Sequence, residues 1–342
     1  MRPLLGGAEV GAEWWDAAPS GHAAQHAPRH VSHSLERFGL AVGHATDVAG
    51  GTGCTVIRGV DAPHRAACAV IGRATGSREL ALLEPGHLVE RVDAILLSGG
   101  SAYGLDAAAG VMRWMERAGR GFPVGEGVVP IVPAAVCFDL TPLGRFDARP
   151  TAEMAEAACA SATSVGIAEG SVGVGTGLTV GKAFGPAQAM RGGFALAVRE
   201  GQGCAAAAMV AVNAYGDVRD ASGRIIAGAR RSDGGFVDTA RAIADGERSA
   251  GGRAFAPNTT LAVVALDAPF TRLELQGIAR AATAAYHRRI TPAGTQVDGD
   301  IVFALAPMEG VRDAARLSVA QGEMLVVAAL EEAIERAVRL AN

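Results

Sequence analysis

Two adjacent threonines, Thr259 and Thr260, follow Ala256-Pro257-Asn258 and open an apolar run from Leu261 to Leu266. A threonine hydroxyl is a weak nucleophile until a base takes its proton. One way to supply that base is to make the threonine the first residue of a chain, so that its own α-amine accepts the proton. A free α-amine has a pKa of about 7.7–8, against about 10.4 for a lysine side chain, so it serves as a base near neutral pH without special surroundings. An internal threonine becomes terminal when its hydroxyl attacks the preceding carbonyl and the resulting ester is hydrolysed. Cleavage between Asn258 and Thr259 would divide the chain into residues 1–258 and 259–342, and the downstream piece would begin with a buried strand that stays docked. Side chains alternate along a strand, so Thr259 shares a face with Leu261 and Thr260 with Ala262, and one of the two threonines faces the cleft. The same letters also spell a glycosylation sequon and an ordinary turn before a strand. Taken alone, the turn weighs more.

Other constellations have chemical potential. In Asp298-Gly299-Asp300 the carboxylates are two residues apart, which on a strand puts them on one side. Neighbouring carboxylates repel, which raises one pKa and suits proton handling or the holding of an ammonium group. Gly299 would let another backbone approach closely, and a solvated turn or weak cation site is the plainer alternative. The run Gly173-Val174-Gly175-Thr176-Gly177 fits neither nucleotide-binding glycine spacing and reads better as a strand packed on another backbone. Lys182 sits among apolar residues, as an ion-pair partner or as a charge in a site. Asn213 closes the apolar run from Val210, where its amide can cap a turn or donate to a developing oxyanion. Ser98 to Gly104 forms a strand-to-helix junction with free backbone N–H groups and the hydroxyl of Tyr103, which permits anion binding. It lacks the flanks of a GxSxG nucleophile elbow.

These residues need a scaffold, and the chain can build one. It has 342 residues, 49 % of them apolar, a net charge of −4 and only 5 % aromatics. Such a core is made of Ala, Val, Leu and Gly. The mild acidity argues against nucleic-acid binding, which needs a basic face. No apolar run reaches the ~18 residues of a membrane span. Five widely spaced cysteines, Cys54, Cys68, Cys137, Cys159 and Cys204, with no CxxC pair, predict buried inert thiols in a reducing cytoplasm. Residues 1–34 are polar and His-rich and predict a poorly ordered extension; residues 35–342 predict a single large domain. Strands are expected near 54–57, 94–97, 171–180, 193–199, 206–213, 259–266 and 300–305. Helices are expected at 105–115, 151–164, 271–289 and 322–340, with residues 214–255 as a long connection. The elements intersperse without strict alternation, which favours a layered α/β or α+β domain.

Taken in this order, the segments resemble the L-aminopeptidase/D-esterase family of self-processing hydrolases, whose relatives include β-peptidyl aminopeptidases and endo-type nylon-oligomer hydrolases. The resemblance runs from about Phe38 to Leu340. Its most specific stretches are Val42 to Asp47, Glu84 to Val92, Leu97 to Leu105, Val128 to Val136, Gly173 to Lys182, Val210 to Asp217, Asn258 to Thr260 and Asp298 to Asp300. The resemblance implies a four-layer αββα sandwich, similar in layering to N-terminal-nucleophile hydrolases but connected differently. It implies cleavage after Asn258 and nucleophilic catalysis by Thr259, with Asn213 on the oxyanion side. Lys182, Asp298 and Asp300 match charged positions of the nylon-hydrolase branch, and Tyr103 falls in a loop beside the site. The aminopeptidase branch has Ser at the nucleophile, and Ser and Glu at the positions of the two aspartates. The two aspartates point toward the nylon-hydrolase branch, a pattern that a generic peptidase could share, and the resemblance does not fix the substrate. The family implies no metal or organic cofactor and an oligomer of cleaved pairs acting on small peptides or amides. An acyltransferase similar to ornithine acetyltransferases, and a non-catalytic small-molecule-binding module using residues 173–177, are the alternative readings.

Overall fold

The computed structural model describes residues 29–30, 34–247, 258–310 and 317–342, so nearly all of the expected N-terminal extension lies outside the described residues. The strands that build the site are, in chain order, β1 (Leu40–Asp47), β2 (Thr52–Gly59), β3 (His64–Val70), β4 (Ser77–Arg78), β5 (Arg91–Val92), β6 (Ala94–Ser98), β7 (Ala134–Val136), β8 (Gly193–Gly201), β9 (Cys204–Val212), β10 (Leu261–Leu266) and β11 (Ile301–Pro307). The helices are α1 (Ala108–Arg117), α2 (Ala152–Ala160), α3 (Thr239–Ala244), α4 (Arg272–Arg289) and α5 (Val319–Ala341).

One sheet has the order β1-β2-β6-β7-β4 and the other β8-β9-β10-β11-β3-β5. Within each, the pairs are antiparallel except β6 with β7 and β10 with β11, which are parallel. Three apolar layers hold them. Leu40, Val42, Ile57 and Leu97 of the first sheet meet Leu196, Met209, Val263 and Phe303 of the second. Alternate residues of the second sheet, among them Ala208, Val264 and Ala304, face Leu275 and Ile278 of α4 and Leu330 and Ile334 of α5. The outer face of the first sheet, with Val56 and Leu96, is covered by Val111 and Met115 of α1 and Ala155 and Ala158 of α2. This is the αββα sandwich.

The composition explains the closeness of these layers. Every residue of β9 is buried, and its run of small side chains is what a central strand covered on both faces requires. The helices start where capping chemistry puts them. Thr151 accepts from Met154 N at the head of α2, Thr271 and Glu274 form a reciprocal capping box on α4, and Ser318 accepts from Gln321 N ahead of α5.

Two expectations need correction. Residues 171–180 do not form a continuous strand: Gly173–Gly175 is a 3-10 turn, followed by a short strand Thr179–Val180. Gly173 has φ +53, and a Cβ at Gly175 would lie 2.5 Å from Phe194 N, so the glycines serve close backbone approach in a loop. Residues 214–247 are not a plain connection either, and the rest of that expected connection, 248–255, lies outside the described residues. Asp217–Arg219 and Ile225–Ala227 join Ile290–Thr291 in a small sheet, organised around the buried Asp217 carboxylate, which accepts from Ala229 N and Thr239 N.

Candidate active site

Because β10 and β11 are parallel, with Leu261 opposite Ile301, the residues just ahead of each strand lie side by side. Asn258 bridges to Asp298 in parallel register, Asn258 N donates to Val297 O at 3.2 Å, and Gly299 N donates to Asn258 O at 2.7 Å. The end of β9 supplies the third side: Thr259 N donates to Asn213 O at 2.9 Å. The Thr259 hydroxyl rests on its own upstream carbonyl, Oγ1 to Asn258 O 2.7 Å, and the residue is only 4 % exposed. Thr260 instead sends its N–H to Asp300 Oδ1 at 2.7 Å, while its carbonyl faces the Tyr286 hydroxyl at 3.2 Å. The structure thus holds Asn258, Thr259, Asn213, Lys182, Asp298 and Asp300 together.

Asn213 is fixed at both ends of its amide. Its Oδ1 accepts from Lys182 Nζ at 2.5 Å and from Thr179 N at 3.2 Å, and its Nδ2 donates to Phe138 O at 3.1 Å. The Lys182 amine is buried, and burial lowers its pKa from 10.5 to about 7 against the opposing pull of nearby acids, including Asp298, Asp300 and Asp139. Asp300 moves the other way. Burial, with the Asp298 charge added, raises its carboxyl from 3.8 to about 7 although Thr260 N and Gly294 N both donate to it. Asp298 is also raised by burial, and its Oδ2 accepts from Thr295 N at 2.8 Å. An amine and a carboxyl that both titrate near neutrality are suited to moving protons.

Tyr103 stands apart from this cluster. It is 51 % exposed, and the Arg149 guanidinium lies 3.5 Å above its ring. Its loop does reach the site wall, since Ser101 N donates to Cys137 O at 2.9 Å, but none of the hydrogen bonds given above involves the tyrosine. The glycine run 173–177 is likewise committed elsewhere. Gly173 N donates to Thr46 Oγ1, Val174 N to Thr55 Oγ1, Gly175 N to Val172 O and Thr176 N to Gly173 O. Those amides have no place for a phosphate.

Sequence reasoning missed several neighbours. Cys137 Sγ donates to Thr259 O at 3.2 Å; it is a buried thiol, pushed well above its ordinary pKa by burial, and acts as a donor rather than a nucleophile. Asp139 accepts from Thr52 Oγ1 at 2.6 Å and Gly100 N at 2.7 Å, and burial raises it to about 6. Tyr286 of α4 ties Thr260 O to Ile301 O. No spacing rule links residues this far apart; the Asp in Cys137-Phe138-Asp139 could have been noticed only as a charge in an apolar stretch. Among the described residues, no group of three or more His, Cys, Asp or Glu side chains is placed to hold a metal ion.

The pattern of peptidase family S58 matches residues 38–342. The chain belongs to peptidase family S58. It is a hydrolase of peptide or amide bonds. This S58 peptidase is 42 % identical over 241 residues to an uncharacterized aminopeptidase of Mycobacterium tuberculosis, covering 69 % of this chain and 67 % of that one. It is 29 % identical over 321 residues to the 6-aminohexanoate-oligomer endohydrolase of an Agromyces species, covering 90 % and 82 %. Its fold is that of the L-aminopeptidase D-Ala-esterase/amidase of Ochrobactrum anthropi, a variant of the Ntn-hydrolase fold, with a TM-score of 0.67 at 19 % identity over 92 % of this chain and 88 % of that one. Among the described residues of the S58 peptidase, no helix is long and apolar enough to cross a membrane.

Proposed function

We propose that the protein is a self-cleaving N-terminal-threonine amidohydrolase of the aminopeptidase type, with Thr259 as nucleophile. The observation that carries this reading is the position of the Thr259 hydroxyl, 2.7 Å from the Asn258 carbonyl oxygen, in a strand end gripped by three neighbouring segments. In the uncleaved chain the Thr259 nitrogen is still an amide and cannot act as base. Lys182, lowered to about 7, is partly neutral at neutral pH and supplies the proton acceptor for that first step. Cleavage then frees the Thr259 amine, which takes over as base.

In turnover, Thr259 Oγ attacks the substrate carbonyl and the amine passes the proton to the leaving nitrogen. The Asn213 amide carries two hydrogens; one is held by Phe138 O, and the second is directed at the oxyanion. Losing such a donor typically costs ~10²–10³ in turnover. Asp298 and Asp300 set the potential around the new amine and hold the loop that carries it. Water then hydrolyses the acyl-enzyme, and no cofactor takes part.

The substrate class is a small peptide or amide, as the names of the relatives suggest: aminopeptidase at 42 % identity and 6-aminohexanoate-oligomer endohydrolase at 29 %. The working form is a homo-oligomer of cleaved pairs. All five cysteines are free, which supports placement in the cytoplasm.

Intact mass followed by N-terminal sequencing of the purified protein tests the reading. Two fragments with Thr259 at a new N-terminus are expected. An active enzyme that remains whole at position 258 refutes it, and transfer of the acyl group to an amine in preference to water would make the protein an acyltransferase.

A further inference from the structure

We infer that the backbone N–H of Gly299 is the oxyanion donor for breaking the Asn258–Thr259 bond, an inference that rests on the self-cleavage reading above. The scissile carbonyl oxygen, Asn258 O, has two neighbours at 2.7 Å: the Thr259 hydroxyl and Gly299 N. The hydroxyl is the attacking group, so its hydrogen bond disappears as the new bond forms. The Gly299 donor remains on that oxygen, where negative charge develops.

The Gly299 donor is held in advance. Ala74 N donates to Asp298 O at 2.8 Å, and Ile71 N donates to Asp300 O at 3.0 Å, so the segment 71–74 clamps both residues flanking the glycine. Gly72 fits into this clamp without a side chain; a Cβ there would lie 2.3 Å from Asp298 O and Asp300 N. Absence of a side chain at Gly299 matters equally. A Cβ would fall 2.6 Å from Thr259 Oγ1 and 2.7 Å from Ala74 O, so only glycine leaves room for both the hydroxyl and the donor. A donor that does not have to reorient stabilises the developing charge at no cost in reorganisation.

The step balances as follows. Thr259 Oγ bonds to the Asn258 carbonyl carbon, the hydroxyl proton passes to the local base, and the C=O electron pair moves onto oxygen facing Gly299 N–H. Collapse restores the carbonyl and expels Thr259 N, which takes up the proton as a free amine. Water then hydrolyses the ester, giving the Asn258 carboxylate and restoring the hydroxyl.

The test replaces Gly299 by glycolate in cell-free translation, exchanging the N–H for an ester oxygen and changing no side chain. Folding is checked by circular dichroism, and cleavage is followed on a denaturing gel. The folded ester protein is expected to cleave about 10²–10³-fold more slowly than wild type. Cleavage at the wild-type rate overturns the inference. If the ester protein does not fold, isotope-labelled Thr259→Ala protein decides: the scalar coupling across the hydrogen bond from Gly299 N to the Asn258 carbonyl carbon is expected, and its absence overturns the inference. A wild-type chain that stays whole removes the self-cleavage reading itself, and this inference with it.

Discussion

Charges on the outer helices and charges behind Thr259 are held in opposite ways. In the half-buried seam between α4 and α5, Arg288 and Arg289 meet Glu331 at 2.9 and 2.8 Å, and Arg289 meets Glu335 at 3.1 Å. Cation faces anion directly. In the interior, Lys182 leans on the amide oxygen of Asn213, and Asp298 and Asp300 lean on backbone N–H groups. Direct pairing there offsets much of the cost of partial burial. Buried charges without a close counter-ion shift their proton affinities instead, and here Asp139, Lys182 and Asp300 converge on about 6 to 7. The interior gives up stability for groups that can trade protons at neutral pH, while the helix seam does neither.

The largest effect expected from breaking the interior side is that of Thr259→Ala. It should leave the chain full length by intact mass and lower amide hydrolysis by at least ~10³-fold, whereas Thr259→Ser should still cleave and retain part of the activity. Lys182→Met comes next, with self-cleavage slowed ~10²-fold or more on a gel time course. Wild-type cleavage should accelerate as pH rises through about 7, because the neutral form of Lys182 grows there, and the Met variant should lose that rise.

Asp300→Asn probes stability. The folded pKa of Asp300 lies above its ordinary value, so its contribution is favourable at low pH and is lost as pH rises from about 4 through about 7. Urea unfolding should therefore shift in favour of the Asn variant by about 1–3 kcal/mol between pH 4 and pH 8, relative to wild type. Glu331→Gln, in the seam between α4 and α5, should leave cleavage unaltered on the same gel time course. A cleavage defect in Glu331→Gln as large as that of Lys182→Met would erase the distinction between the two regions.

The strands at 206–213 and 259–266 could be read from their apolar runs, whereas the four-layer order was implied only by the family resemblance. The loops were harder. Gly173 to Gly177 alternates like a strand but carries a positive φ and turns under contacts from Thr46 and Thr55, residues over a hundred positions away. Asn258, Thr259, Asp298 and Asp300 were legible as chemistry, and the parallel pairing of β10 with β11 brings them together. Cys137, Asp139 and Tyr286 were not, since their place at the site follows from sheet order. The lowered pKa of Lys182 depends on complete burial, which neighbouring apolar letters suggest without fixing.

The order of the larger sheet has a mechanical consequence. β10 and β11 lie in its middle, flanked by β9 on one side and β3 on the other, both from upstream of residue 258. A chain nicked there would be two polypeptides sharing one interior, woven so that neither holds the whole of the larger sheet. Dilution or gentle chromatography should not part them, and melting should remain a single event. Once separated in denaturant, the shorter polypeptide would have no independent shape to return to.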